Sequence, residues 1–323
     1  MILMVWKFFA YYWNGKPQMH TFKQVTINPT VLKLILLISL LISQTTIADT
    51  LNPSADNFVN ALLGQHKTLK NALLNNQFKR PLILYSTESA DALKGEIYAV
   101  LDYPFKKVNS AINNPNHWCD VLILHINVKY CRAENNNAGT VLTINLGKKY
   151  DQPLIETYQA KFMYESMTNA ADYFSIQLKA AAGPLGTKDY HIWVEATPLN
   201  NNQTFLHFTY AYSFGLSGRL AMKGYLATIG KDKIGFTILS TQNAQPEYIQ
   251  GVRGVVERNT MRYYLAIDAY LAAADAVNND KNAQIERRLE YWFDSTERYA
   301  LQLHEVEKMD YLTMKRTELE RQK

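Results

Sequence analysis

Apolar side chains recur at every second position through much of the chain. The clearest case is the stretch 204–214, whose alternate positions are large and apolar: Leu206, Phe208, Tyr210, Tyr212 and Phe214. A period of two predicts a β-strand with one buried face. Similar segments lie at 81–86, 95–103, 124–132, 140–148, 158–166, 173–180 and 190–197. Short turn-forming clusters separate most of these segments, so we predict an antiparallel sheet whose sequence neighbours pair.

Other segments repeat their apolar positions every three or four residues, which predicts helices. These segments lie at 54–76, 105–113, 115–122, 216–229, 253–277 and 283 to about 321, and a last strand is predicted at 233–239. The opposite face of the 253–277 helix carries Met261 and Leu265. We expect the final helix to dock onto these two residues. The alternative is a coiled coil with a protein partner, although fewer than four clean heptads are present.

The elements follow a definite order over residues 79–277: two strands, a bent helical pair, an antiparallel meander and a long amphipathic helix. This order resembles the helix-grip fold, the START-like superfamily of lipid-transfer domains, polyketide cyclases and plant pathogenesis-related proteins. The segment GVRGVVERNTMRYYLAIDAYL is similar to the closing helix of uncharacterised exported bacterial members. The resemblance implies an α+β fold in which a curved antiparallel sheet wraps around a long C-terminal helix. The helix at 216–229 and the tail lie outside the minimal fold.

In the fold that the chain resembles, a cavity lies between the sheet and the closing helix. The resemblance therefore implies that the apolar strand faces line a ligand site. The implied lining residues are Ile192, Val194, Leu206, Phe208, Tyr210, Tyr212, Phe214, Tyr263, Ile267 and Tyr270. Buried tyrosines need hydrogen-bond partners, which a polar ligand group or water can supply. The alternative is that these tyrosines are ordinary half-buried residues whose hydroxyls reach the rim.

The first 48 residues have the composition of a leader. They contain four lysines and no acidic residue, and Lys33 precedes the nine-residue apolar run Leu34 to Ile42. That run is shorter than the ~20 residues needed to span a bilayer and suits a signal peptide cleaved near Ala48. The alternative is an uncleaved membrane anchor. We expect export, to the bacterial periplasm, and interpret residues 1–18 as a wrongly assigned start.

The predicted organisation is therefore a leader at 1–48, an N-terminal helix at 49–78, a START-like domain at 79–278 and a helical extension at 279–323. Without the leader lysines the chain has 30 basic and 29 acidic residues, so nucleic-acid binding has no electrostatic basis. Cys119 and Cys131 are the two cysteines, and export predicts a disulfide between them. The alternative, a metal site with His117, would have three ligands where tetrahedral zinc needs four.

Candidate catalytic groups are weak in this sequence. Asp189 and His191 lie two residues apart on a predicted strand and could form an oriented base. Arg258 and Arg262 lie one helical turn apart, and we expect them to pair with a tail carboxylate such as Glu297 or Asp294. We find no phosphate-binding loop, and we expect no catalytic residue, metal or cofactor.

The predicted function is non-catalytic binding or transfer of a small hydrophobic ligand such as a lipid, with transient membrane contact at most. One alternative is an enzyme of the same fold, a cyclase or hydrolase, that uses a cavity tyrosine or histidine. Another is a protein that acts through a partner of its C-terminal helix. The helix at 216–229 is the expected gate of the cavity.

Overall fold

The computed structural model describes residues 55–137, 139–228, 230–242, 245–274 and 280–322. The predicted leader and its cleavage site lie outside these residues. Ten strands are present in the described part of the chain: β1 (Leu82–Glu88), β2 (Ala92–Leu101), β3 (Val128–Asn136), β4 (Gly139–Leu146), β5 (Tyr158–Asn169), β6 (Phe174–Ala182), β7 (Thr187–Asn200), β8 (Gln203–Phe214), β9 (Ile238–Gln242) and β10 (Gln245–Tyr248).

The described residues also form eight α-helices. They are α1 (Ala55–Leu74), α2 (Phe105–Ile112), α3 (Trp118–Leu122), α4 (Leu216–Ala227), α5 (Gly251–Ala273), α6 (Lys281–Glu297), α7 (Ala300–Leu303) and α8 (Lys308–Glu320). The short 3₁₀ turn Pro115–His117 joins α2 to α3, as expected for a chain that a proline prevents from continuing one helix. None of the helices in these residues is both long and apolar enough to cross a bilayer.

Eight strands form one open antiparallel sheet in the order β1-β2-β8-β7-β6-β5-β4-β3. The strands from β3 to β8 pair with their sequence neighbours, and β2 closes onto β8 with Ile97 opposite Phe208. The long helix α5 lies against this sheet. The predicted α+β helix-grip class is therefore confirmed.

The two faces of the sheet bury different sets of residues. On β8, Phe208 and its alternate neighbours join the main core with α5. Phe205 lies on the other face and packs with Leu62 and Leu73 of α1. The alternation along β8 therefore places α5 and α1 on opposite sides of the sheet.

Helix α5 lies closest to one end of the sheet. It packs against β1, β2 and β8, and a Cβ on Gly95 of β2 would lie 2.1 Å from Oγ1 of Thr260. Only a residue without a side chain permits this approach of strand and helix. Because the helix is drawn to the β1–β2 end, a gap is left above the strands at the other end.

Two predicted strands differ from the structure. The segment predicted at 124–132 begins instead at Val128, because the preceding residues form turns such as the one closed by His125 N and Leu122 O. The strand predicted at 233–239 begins only at Ile238 and forms a separate hairpin with β10. The carboxylate of Glu257 accepts hydrogen bonds from the amides of Phe236 and Thr237, which removes these donors from any strand pairing.

The C-terminal extension is three helices, where the sequence predicted one. The first, α6, packs on α5: Trp292 Nε1 donates to the Arg262 carbonyl at 3.1 Å, and Leu289 and Trp292 share a core with Met261 and Leu265. The predicted docking is thus present. The chain then leaves the helical conformation at Tyr299 and His304, and α8 turns back to pack on α6 and β3.

The two thiols form a disulfide, Cys119–Cys131, that links α3 to β3. The predicted pairing is therefore confirmed. The bond engages both sulfurs that a metal site with His117 would have needed. Among the described residues no group of three His, Cys, Asp or Glu side chains is placed to hold a metal ion.

Candidate functional site

A cavity of about 460 Å³ lies in the gap between α5 and the sheet. Its helix wall is the N-terminal half of α5, from Val255 to Tyr263, and its sheet wall comes from β4, β5, β7 and β8. Helix α4 covers it with Ala221, Met222 and Tyr225. This volume and this mixture of apolar and polar walls are typical of small-molecule sites.

The covering helix is held against the sheet by a close backbone contact. Gly186 has a φ of +78°, and a Cβ there would lie 3.1 Å from the backbone nitrogen of Gly218 in α4. A positive φ favours glycine. Outside this contact, α4 exposes Leu216 and Leu220 to solvent, so the helix is held at its beginning and has few buried residues beyond it.

Four tyrosines from three elements meet on the cavity wall: Tyr190, Tyr210, Tyr212 and Tyr263. The rings of Tyr190 and Tyr212 stack with centroids 5.2 Å apart, and Tyr210 and Tyr263 are also 5.2 Å apart. The Tyr190 hydroxyl lies 2.7 Å from Thr187 Oγ1. Within the described residues, the other three hydroxyls make no hydrogen bond to protein.

Burial keeps these phenols protonated. It raises the pKa of Tyr190 to about 12 and the pKa values of Tyr210, Tyr212 and Tyr263 further, because a buried phenolate would be poorly solvated. At neutral pH the four hydroxyls are therefore hydrogen-bond donors and acceptors, and none is prepared to act as a base.

One end of the cavity is basic. Arg262, which is 3% exposed, donates from Nη2 to Glu305 Oε1 at 2.7 Å. The other carboxylate oxygen of Glu305 lies 2.5 Å from both Lys149 Nζ and Lys233 Nζ. Burial opposes the charge on Glu305, but the ion pairs with Arg262 and the two lysines lower its pKa to about 2. One carboxylate thus neutralises three cations only in part.

Lys149 has a perturbed pKa at this end of the cavity. Burial lowers the pKa of its ammonium to about 8, against the opposing effect of Glu305. The repulsion of Arg262 and Lys233 acts in the same direction as burial. Lys149 is therefore charged at neutral pH but can lose its proton within about one pH unit above it.

Arg258 lies beside this cluster without a carboxylate partner. It is 2% exposed, its Nη1 donates to the carbonyl of Ile234 at 3.0 Å, and it interacts with Tyr225 of α4. Burial and the neighbouring Arg262 lower its pKa. Within the described chain, Arg258 has no carboxylate within ion-pair distance.

His125 is a further polar group on the wall, stacked on Tyr263 at 4.5 Å. Its Nδ1 accepts a hydrogen bond from the Asn127 backbone amide at 3.2 Å, so in the neutral ring the proton is on Nε2. Burial and the nearby cations, Arg262 foremost, lower its pKa well below the usual value. Nε2 has no partner among the described residues. His125 is thus a neutral donor without an acceptor.

The structure places the ten predicted lining residues in two groups. Ile192, Tyr210, Tyr212 and Tyr263 border the cavity. The other six are buried in the adjoining solid core: Val194, Leu206, Phe208, Phe214, Ile267 and Tyr270. Helix α5 contacts the sheet where these core residues lie, and the cavity opens only along its N-terminal half. Ligand binding by the first four stays a prediction.

The predicted charged pairs have other partners than expected. Arg262 pairs with Glu305, where a carboxylate such as Glu297 or Asp294 was predicted. Those two acids instead bind His304 and Lys308. The tail leaves the helical conformation between them and Glu305, which brings Glu305 alone to α5.

The Asp189 and His191 pair does not form. A bulge in β7 lies between Lys188 and His191, and Asp189 has a φ of +52°. His191 Nε2 lies 3.1 Å from Gln177 Oε1, on the strand face opposite to Tyr190 and Ile192. It cannot serve the cavity as the predicted alternative base.

Sequence patterns missed His125, Lys149, Tyr225 and Glu305 as wall residues. His125 lies in a turn that the sequence predicts as the start of a strand, Lys149 lies in a turn without a period, and Glu305 lies in a segment that the sequence predicts as helical. Tyr225 had a signal, because the helix at 216–229 was expected to cover the cavity. Its inward face could have been assigned from Ala221, Met222 and Tyr225, which follow helical spacing.

Comparison with known proteins gives distant similarities to solved structures. No protein-family model matches the sequence, and no curated protein matches it. A conserved protein from Geobacillus kaustophilus is similar at 12% identity, over 56% of this chain and 96% of that one, with a TM-score of 0.34. A norcoclaurine synthase from Thalictrum flavum shows 13% identity, 45% and 93% coverage and a TM-score of 0.31.

Human StAR-related lipid transfer protein 5 is also similar, at 9% identity, over 53% of this chain and 88% of that one, with a TM-score of 0.29. Similarities this weak support no argument about function. The strand order and the position of α5 show the helix-grip architecture on their own. The predicted helix-grip fold is confirmed, and the resemblance to exported members stays a prediction.

Proposed function

We propose that this protein binds a small, largely apolar ligand such as a lipid between its sheet and α5, and that it carries the ligand without changing it. The observation that supports this is the cavity of about 460 Å³, which a chain of this size would otherwise fill, since protein interiors pack as densely as organic crystals. Ile144, Phe162 and Ile192 supply apolar contact area. Burial of apolar ligand surface contributes roughly 25 cal/mol per Å².

The tyrosine hydroxyls fit a site that holds water or a ligand. A buried hydroxyl without a partner is destabilising, and the hydroxyls of Tyr210, Tyr212 and Tyr263 have none within the described residues. A polar group of the ligand, or ordered water, would satisfy them. The carrier role also agrees with the raised pKa values of these phenols, which leave them unsuited to proton abstraction.

The test is extraction of the native protein, purified without detergent, followed by mass spectrometry of the organic phase. We expect a stoichiometric small molecule from the wild type. Ala221→Trp would project an indole into the cavity and should remove most of that molecule. Ala227→Trp places the same ring on an exposed position of the same helix and should retain it. No extracted molecule from the wild type, or equal amounts from both variants, would contradict the proposal.

Export is part of the same proposal. It is supported by the leader composition of residues 1–48 and agrees with the disulfide Cys119–Cys131, since disulfides persist in oxidising compartments. N-terminal sequencing of the native protein should give a first residue near Asp49. Recovery of an intact residue 40 would exclude cleavage.

The enzyme alternative has one observation in its favour. Lys149, whose pKa is lowered to about 8, lies on the cavity wall, and lysines with lowered pKa values serve as nucleophiles or bases in many sites. Its close ion pair with Glu305 restricts that role. Incubating the extracted ligand with fresh protein separates the two: an unchanged mass agrees with a carrier, and a changed mass with an enzyme.

A further inference from the structure

The cavity has an uneven distribution of charge, which specifies its ligand further. Its wall carries the cations Lys148, Lys149, Arg258 and Arg262 and the anions Glu156 and Glu305. Lys148 and Glu156 are exposed, where solvent screens them. The inner part therefore holds two buried arginines and a half-buried lysine against the single carboxylate of Glu305.

That carboxylate is already shared. Its Oε1 binds Arg262, and its Oε2 binds Lys149 and also Lys233 from outside the cavity wall. Arg258 is left with neutral acceptors, the Ile234 carbonyl and the Tyr225 hydroxyl, and with the longer-range attraction of Glu305. A buried guanidinium without an anion is costly, because its hydration is lost and only partly replaced.

Two further residues of the same wall each keep a hydrogen-bond donor without an acceptor. Arg262 Nε and His125 Nε2 are buried and have no partner in the described chain, and both residues line the cavity. Only an acceptor could satisfy such donors, so this end of the cavity has more donors and cations than acceptors. Carboxylates and phosphates are the acceptors that bind guanidinium most strongly, in a two-pronged geometry.

We propose that the ligand is an anionic amphiphile whose carboxylate or phosphate head binds Arg258, beside Arg262 and His125, while its apolar body lies against Ile192 and the cavity tyrosines. This inference rests on the proposed ligand-binding function and adds the charge and position of the head group. Tyr225 of α4 interacts with Arg258, so the head would lie directly beneath the covering helix.

The test compares ligands that share a chain and differ in the head group. Delipidated wild-type protein is titrated calorimetrically with lauric acid, dodecyl phosphate and 1-dodecanol, each below its aggregation threshold. We expect one of the two anions to bind at least about tenfold more tightly than the alcohol, the size of a charge-assisted hydrogen bond. The comparison of lauric acid with dodecyl phosphate identifies which head group is preferred.

Arg258→Met removes the guanidinium and keeps much of its apolar volume. It should lower the affinity for the preferred anion about tenfold or more and leave 1-dodecanol binding unchanged. Arg253→Met is the matched control on the same helix, because Arg253 binds Ser86 outside the cavity and should change neither affinity. Thermal unfolding shows whether both variants fold. If a variant does not fold, the comparison of the three ligands on the wild-type protein still tests the inference.

The outcomes separate the two proposals. Equal affinity for the anions and the alcohol, or an equal loss of both on Arg258→Met, overturns the acidic head group while ligand binding stands. If none of the three amphiphiles binds, the head-group inference is overturned for twelve-carbon ligands. If the native protein also yields no extracted molecule, the proposed ligand binding is overturned as well. Tighter binding of an anion, lost only in Arg258→Met, supports the assignment.

Discussion

Replacing Glu318 by glutamine should leave two buried lysines, Lys129 of β3 and Lys315 of α8, without the carboxylate that both of them bind. Glu318 of α8 lies 2.9 Å from Lys129 Nζ and 2.7 Å from Lys315 Nζ. All three side chains are completely buried. Lys315 Nζ also donates to the carbonyls of His125 and Val128 at 2.8 Å. The cluster joins α8 to β3 and to the turn that forms one side of the cavity.

Breaking a buried ion pair by removing one partner costs about 3–5 kcal/mol, because the other charge stays uncompensated. We therefore expect Glu318→Gln to lower the free energy of unfolding by about 3–5 kcal/mol at pH 7.

The pH dependence gives a second, independent readout. Burial lowers the pKa of Lys315 to about 8 in the wild type, against the opposing effect of Glu318. Without Glu318 that pKa falls further, so the folded variant binds fewer protons than its unfolded chain already at pH 7. Stability rises with pH wherever the unfolded state binds more protons. The difference in free energy of unfolding between the wild type and Glu318→Gln should therefore shrink by about 1 kcal/mol between pH 7 and pH 8.

Urea unfolding, followed by circular dichroism at pH 7 and pH 8, measures both effects. The matched control is Glu286→Gln, which breaks the exposed pair with Arg316 and should cost at most about 1 kcal/mol. If Glu318→Gln lowers the free energy of unfolding no more than Glu286→Gln does, then loss of the carboxylate leaves no costly unpaired charge in the buried cluster. An identical deficit at both pH values would refute the role assigned to Lys315.

Two further predictions concern other parts of the chain. Because the pKa of Glu305 is lowered, the stability it contributes is complete above pH 4.5 and is lost toward pH 2. Between pH 5 and pH 3 the free energy of unfolding of the wild type, measured in urea, should therefore fall by up to about 2 kcal/mol more than that of Glu305→Gln. An equal fall for both proteins over this range would contradict the ion-pair account. Replacing Cys119 and Cys131 by alanine should lower the free energy of unfolding by about 2–3 kcal/mol. Reductant should shift the melting temperature of the wild type toward that of the double variant, and a wild type indifferent to reductant would argue against a stabilising disulfide.

The sheet was largely predictable because its signal is local and repeated. The alternation at Leu206, Phe208 and Tyr210 predicts one buried face of the strand, whichever residues of the neighbouring strands pair with it. In the structure that face packs in the core with α5. The ends of elements were less predictable. The carboxylate of Glu257 accepts hydrogen bonds from the backbone amides of Phe236 and Thr237, which prevents a strand there. No pattern in the sequence indicates that a carboxylate about 20 residues away binds these amides.

The apolar wall of the cavity followed from the fold, but its charged end did not. Tyr210 and Tyr263 lie on periodic elements whose inward face is set by burial. Glu305 reaches the cavity only because the tail leaves its helix at Tyr299 and His304, where neither glycine nor proline gives a signal. Tertiary ion pairs outweigh helix propensity in such segments, since propensity differences are below about 1 kcal/mol per residue.

The C-terminal extension therefore belongs to the candidate site, and its apolar stripe is already used within the chain. Leu289, Trp292 and Tyr311 are buried in the main core, so a partner of this extension would have to bind other residues. The extension also supplies Glu305, the carboxylate that holds Arg262 and Lys149 at the cavity. A minimal helix-grip domain without this tail would leave both cations without their anion. The extra helices thus set the charge of the cavity as well as stabilising the fold.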